Sequence, residues 1–197
     1  PEEDTDEQKK HRNSEKSGKE RKTQLDEYCK ENNWIKAFYA KHTFEVDFLL
    51  SNNSHEVNKT VSGLYKQSDT KEKIKAKLES GDVAVSGKEI LRLANKYGKG
   101  WFSIMMANNI DNITLIPDYI LEALAFATPK LSQITQCSIA GYRLKKYITR
   151  HFDKDETNYT ELLNAFKDTK SDDDRLKYFK ETLPNDPLTK LIALTDA

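Results

Sequence analysis

Apolar side chains that return every three or four residues run through most of this chain, and wherever that period holds it restricts the fold to helices packed on one another. The stretch 21–31 carries Leu25, Tyr28 and Cys29 at i, i+3 and i+4, with Asn32 and Asn33 following as a stop. In 86–97, Ile90, Leu91, Leu93, Ala94 and Tyr97 mark one buried stripe, and Ser86 with Glu89 three residues on reads as a capping box. The same pattern predicts helices over 44–50, 55–67, 69–79, 101–107 and 118–127, the last with Pro117 in its first turn. Beyond Pro129 it predicts 130–151, 156–168, 171–182 and 186–194, separated by polar or Pro-containing breaks.

One short run departs from the helical period. Trp34-Ile35-Lys36-Ala37-Phe38-Tyr39-Ala40 is aromatic, carries a β-branched residue and is bounded by Asn residues and by Lys41-His42-Thr43, which makes it a strand candidate. Helix, strand, helix is the local grammar of an α/β layer. The expected class is therefore mainly α with a minor α/β part, the strand near 34–40, and a helical appendage after it. Residues 1–20 contain no large apolar side chain and mix both charge signs, so they are expected to form a mobile charged arm. The division expected from these patterns is 1–20, 21–128 and 129–197.

The 32 basic residues balance the 32 acidic ones, so no global field draws the chain to nucleic acid or to an anionic membrane; a nucleic-acid role would need a local site. Cys29 and Cys137 stand far apart and without metal-ligand spacing, which removes a disulfide framework or a structural zinc site. No apolar run approaches the roughly 20 residues of a membrane span. A cytoplasmic protein without a membrane partner is expected. The chain opens at Pro1 without an initiating Met, as a processed product or a segment of a longer polypeptide would.

Two clusters carry candidate chemistry. In Lys41-His42-Thr43-Phe44-Glu45-Val46-Asp47, carboxylates follow the end of the expected strand, where open α/β sheets place their ligands, and hard oxygens there suit Mg²⁺ or Mn²⁺. Glu45 is the first candidate ligand. Asp47, two positions on, faces the other way and is secondary. Stabilisation of a helix amino terminus accounts for Glu45 more simply, and His42 is given no ligand role. In Tyr97-Gly98-Lys99-Gly100-Trp101-Phe102 the flanking glycines bring Lys99 to the surface, where a lysine can neutralise charge developing on a phosphate or simply be solvated at a helix corner. Arg143, Lys145, Lys146, Arg150 and His151, interleaved with Tyr142 and Tyr147, form the strongest basic and aromatic stretch, with Arg143 and Lys146 as candidate DNA contacts, although an ordinary amphipathic helix explains them more simply. Lys71, Lys73, Lys75 and Lys77 spread around a helix, and Asp172, Asp173 and Asp174 suit a first helical turn.

The order Trp34 to Ala40, then Lys-His-Thr-Phe-Glu-Val-Asp-Phe-Leu-Leu, then Lys-Tyr-Gly-Lys-Gly-Trp-Phe-Ser-Ile, then Ile-Pro-Asp-Tyr-Ile resembles the carboxy-terminal half of Toprim domains in the overcoming-lysogenization-defect (OLD) family of DNA endonucleases, over about 34–127. The large subunit of the Gabija antiphage system is similar to that family. The resemblance implies a Toprim-like α/β nuclease portion joined to an ATPase domain of the same or a preceding chain. It also implies DNA as substrate, a role in antiphage defence and a possible homo-oligomer. Carried over by residue, Glu45 resembles the metal-side glutamate and Lys99 the lysine that stabilises transition-state charge; Asp47 matches a family acid. The family's Glu-bearing strand and Asp-x-Asp strand have no counterpart before Trp34, and Trp101 replaces a basic or small residue. One glutamate cannot hold two ions about 3.5–4 Å apart. The remaining ligands are therefore expected from outside this chain, which alone should be inactive. The competing class is a non-enzymatic helical module that binds a partner protein, or nucleic acid through the stretch from Tyr142 to His151.

Overall fold

A computed structural model describes residues 6–152 and 157–196. Among the described residues there are eleven helices and no strand. The chain divides into two compact units, Pro1–Tyr39 and Ala40–Ala197.

The first unit is dominated by α1 (Asp6–Lys30). Residues 6–20 of the charged arm expected over 1–20 are helical; residues 1–5 lie outside the described residues. The charged composition that argued against a core still suits a helix, because Glu, Lys, Gln and Arg are good helix formers and pair at i, i+4. Lys19 meets Glu15 at 2.7 Å and Lys16 approaches Glu20 at 4.0 Å. Past the helix, the backbone N–H of Trp34 donates to Asn32 Oδ1 at 3.0 Å.

Residues 35–40 then run without regular structure, a correction to the strand expected at 34–40. A strand exists only as a member of a ladder, and no second extended segment among the described residues pairs with this one. Its end is tied back by Tyr39, whose hydroxyl donates to Asp26 Oδ1 at 2.8 Å and to the Lys22 carbonyl at 3.3 Å. Loss of hydration and then the Asp26 carboxylate push the Tyr39 phenol up to about 12.

The second unit holds two hydrophobic clusters. The first is built by α2 (Phe44–Leu50), α3 (Ser54–Leu64), α4 (Ser68–Leu78), α5 (Val83–Tyr97) and α6 (Lys99–Ala107). Its fully buried members include Val57, Ile90, Leu93, Ala94 and Phe102. Helix α5 is central, packing on α2, α4 and α6. Its cap is Asp82, which accepts from the Ala84 N–H at 2.8 Å, and not the expected Ser86. Ser86 lies one turn inside and returns its hydroxyl to the Asp82 carbonyl at 3.0 Å. Glu89, the expected partner of that capping box, is instead buried between Lys77, 3.4 Å away, and Arg92.

The second cluster belongs to α8 (Gln133–His151), α9 (Thr157–Lys167), α10 (Asp172–Thr182) and α11 (Pro187–Asp196), with Ala140, Leu144 and Ile148 forming the buried stripe of α8. Gly141 lets the Phe166 ring approach, since a Cβ there would stand 3.1 Å from Cε1. Ser171 caps α10 by accepting from the Asp174 N–H at 3.1 Å, so the acidic triplet does occupy a first turn. Helix α7 (Asp118–Ala127) packs on α11, with Lys190 Nζ 2.6 Å from Asp118. Pro117 is the residue before this helix and not part of its first turn. The boundary expected near 128 thus falls within the second unit.

Candidate functional site

Glu45 and Lys99 are 54 positions apart in the sequence and adjacent in space: Lys99 Nζ stands 3.7 Å from Glu45 Oε1. The route between them is short because α2 packs on α5 and α6 follows α5 after one residue. That residue is Gly98, at φ 81° and ψ 130°, a conformation that a residue with a Cβ strongly disfavours. The sharp turn it makes puts Lys99 at the first position of α6. Glu45 is buried, 7% exposed, whereas the Lys99 side chain is 53% exposed. The pair therefore offers an acid held from inside and a cation that still reaches solvent.

Asp47 belongs to a different cluster. Its carboxylate accepts from the His42 backbone N–H at 3.2 Å and meets His42 Nδ1 at 2.8 Å. On the α7 side, burial and then the Asp47 charge raise the Tyr119 phenol above its ordinary range. Two residues of helix rotate a side chain by about 200°, so Glu45 and Asp47 are presented to different neighbours, as expected. His42, given no role from the sequence, is the partner that sequence reasoning missed; its signal is a histidine in the loop five residues before an acid.

These carboxylates do not by themselves fit a divalent cation. Among the described residues no group of three or more His, Cys, Asp or Glu side chains converges. Glu45 already faces an ammonium and Asp47 an imidazole. A two-ion site needs oxygens from several side chains in one place, and among the described residues Glu45 is the one carboxylate that pairs with Lys99.

No family model, curated protein or solved structure matches the chain. What the site can do is therefore read from its own side chains.

Of the proposed DNA contacts, Arg143 is turned inward. Its Nε lies 2.7 Å from both oxygens of Asp186, its Nη1 donates to the Asn112 carbonyl at 2.5 Å, and its Nη2 is buried without a hydrogen-bond partner. The physical reason is register: Arg143 adjoins the buried Ala140, Leu144 and Ile148 stripe, so its donors are spent within the fold instead of on an outside phosphate. Lys146 is exposed, its ammonium 5.5 Å from the Tyr142 ring centre. The two do not form one cationic patch.

A basic and aromatic group that the sequence did not single out sits at the end of α5. Lys96 Nζ donates to the Tyr65 hydroxyl at 3.2 Å and lies over the rings of Tyr65 and Tyr97, which meet edge to face at 6.3 Å. Burial alone would raise the Tyr65 phenol, but hydrogen bonds from Tyr97, Lys96 and Arg92 outweigh it and leave the phenol below its ordinary value. The helical interval alone could not reveal this group, because Tyr65 arrives from the end of α3.

Proposed function

We propose that this chain contributes the carboxy-terminal part of a Toprim-type, OLD-like DNA endonuclease, with Glu45 as a metal-side carboxylate and Lys99 as the cation that meets the scissile phosphate. The observation that carries this reading is the convergence of Glu45 and Lys99 to 3.7 Å across 54 residues of sequence. The rest of the proposal follows the same resemblance: Mg²⁺ or Mn²⁺ as the ions, an ATPase domain in the same or a preceding chain, and a defence role against phage.

The chemistry open to this chain's own residues is electrostatic. Phosphodiester hydrolysis gathers negative charge on the phosphate, and a lysine fixed beside it lowers that charge's energy more than bulk water does. Lys99 is suited to this, being anchored by Glu45 at one end of its reach and half-exposed at the other. The acids that complete an ion site come, on this reading, from elsewhere in the longer protein.

A second reading, a non-enzymatic helical interaction module, is favoured by the absence of any strand among the described residues. Glu45→Gln and Lys99→Met in the longer protein separate the two. Under the nuclease reading each lowers Mg²⁺-dependent cleavage by about 100-fold or more while the circular-dichroism melt stays close to wild type. Unchanged cleavage in both variants would favour the module. Mg²⁺-dependent cleavage by the 197-residue chain alone would contradict the shared site.

A further inference from the structure

The two hydrophobic clusters of the second unit have no residue in common, and every pair of helices that packs closely falls within α2–α6 or within α7–α11. The loop between the two sets belongs with the first. Asn109 Nδ2 donates to Thr60 Oγ1 at 2.9 Å. The buried Asn53 amide donates to the Leu115 carbonyl at 2.8 Å and accepts from the Leu115 N–H at 2.8 Å. Between this anchored loop and α7 stand Ile116 and Pro117.

Across the seam, α8 reaches back with polar side chains. Arg150 Nη2 lies 3.0 Å from the buried Glu56 carboxylate of α3, and its Nη1 lies 3.5 Å from Asp111 of the loop. Arg143 donates to the Asn112 carbonyl, and the Asn112 amide donates to the Tyr142 hydroxyl. A cleft of about 500 Å³ opens along the same line, walled by His55 and Glu56 on one side and by Tyr147, Arg150 and Asn185 on the other.

We propose that the α7–α11 bundle moves as a body against the α2–α6 core, hinged at Ile116 and Pro117 and latched by Arg150 on Glu56 and Asp111. Two cores that share no residue and are joined by no closely packed helix pair are expected to move relative to each other. Opening the latch rehydrates Arg150, Glu56 and Asp111, which offsets much of the attraction lost, so the closed and open arrangements differ little in free energy. The cleft widens when the latch parts. This inference is independent of the nuclease reading.

Hydrogen exchange on the full chain tests it. In Arg150→Met, the hydrogen-bonded amides beside the latch and the hinge, Thr114 (to the Asp111 carbonyl), Ile120 (to the Pro117 carbonyl) and Phe152 (to the Ile148 carbonyl), should exchange about tenfold faster or more, while those of Ile90 and Leu144, inside the two cores, keep their wild-type rates. Asp111→Asn removes the charge of a carboxylate that is 42% exposed without endangering folding, and should produce a smaller acceleration of the same amides. Unchanged seam amides in Asp111→Asn, or equal acceleration of seam and cores in both variants, would overturn the latch.

Discussion

Lys99 stands at the junction of folding and chemistry, because its removal leaves the buried Glu45 carboxylate without its cation. Lys99 is itself half-exposed, so solvent screens the pair and the expected loss for Lys99→Met is only about 1 kcal/mol by urea unfolding. A much larger stability loss would mean that the lysine serves the fold first. His55 supplies a pH response. Burial and then the charges of Arg150 and Lys59 hold its imidazole below the ordinary value of 6.5, against the opposing pull of Glu56 and Asp111. The folded pKa is the lower one, so the unfolded chain takes up the proton first as the pH falls. Stability is therefore complete above about 6.5 and declines as acid passes below that value. The expected observation is a urea midpoint that drops between about pH 7 and 5.5 in wild type and drops less in His55→Gln. Glu45 and Lys99 could each be picked out from their sequence neighbours, whereas their meeting follows from the family resemblance alone, since nothing local measures how far α5 carries the chain before Gly98 turns it.

At the scale of single elements, α5 depends on its cap. Asp82→Ala should destabilise the chain by about 1 kcal/mol, within the 0.5–2 kcal/mol range usual for such caps, as read by thermal or urea unfolding. Helical spans were legible: 118–127 was expected and is found as α7, and the ends of α10 at Asp172 and Thr182 differ by one residue at most from expectation. Caps were less so, because Ser86 and Asp82 both stand before apolar helical sequence and either could begin the helix. Gly98→Ala tests the α5 to α6 turn. No atom lies within 4 Å of the added Cβ, so the whole effect is backbone strain at positive φ, about 1–3 kcal/mol. If the nuclease reading holds, the same change also misplaces Lys99, and cleavage should fall further than the stability loss accounts for.

For the whole molecule, two separate clusters imply separable losses. Phe102 in the first and Leu144 in the second are fully buried, and truncation to Ala should cost about 3–5 and about 2–5 kcal/mol respectively. The double variant should show the sum to within about 0.5 kcal/mol, because the two sites share no cluster neighbours. A clear departure from the sum in denaturant titration would show that the seam couples the cores more tightly than its polar contacts suggest. Among the described residues no helix is long and apolar enough to cross a membrane. The sequence by itself determined where nearly every helix of this protein lies, because a period of 3.6 is a local property written in apolar spacing. Tertiary structure decided the rest. Trp34 to Ala40 has the composition of a strand but no ladder to join among the described residues, and Arg143 is spent on Asp186 because the packing of α8 turned it inward. Both outcomes depend on partners outside the local segment, and local spacing carries no information about such partners.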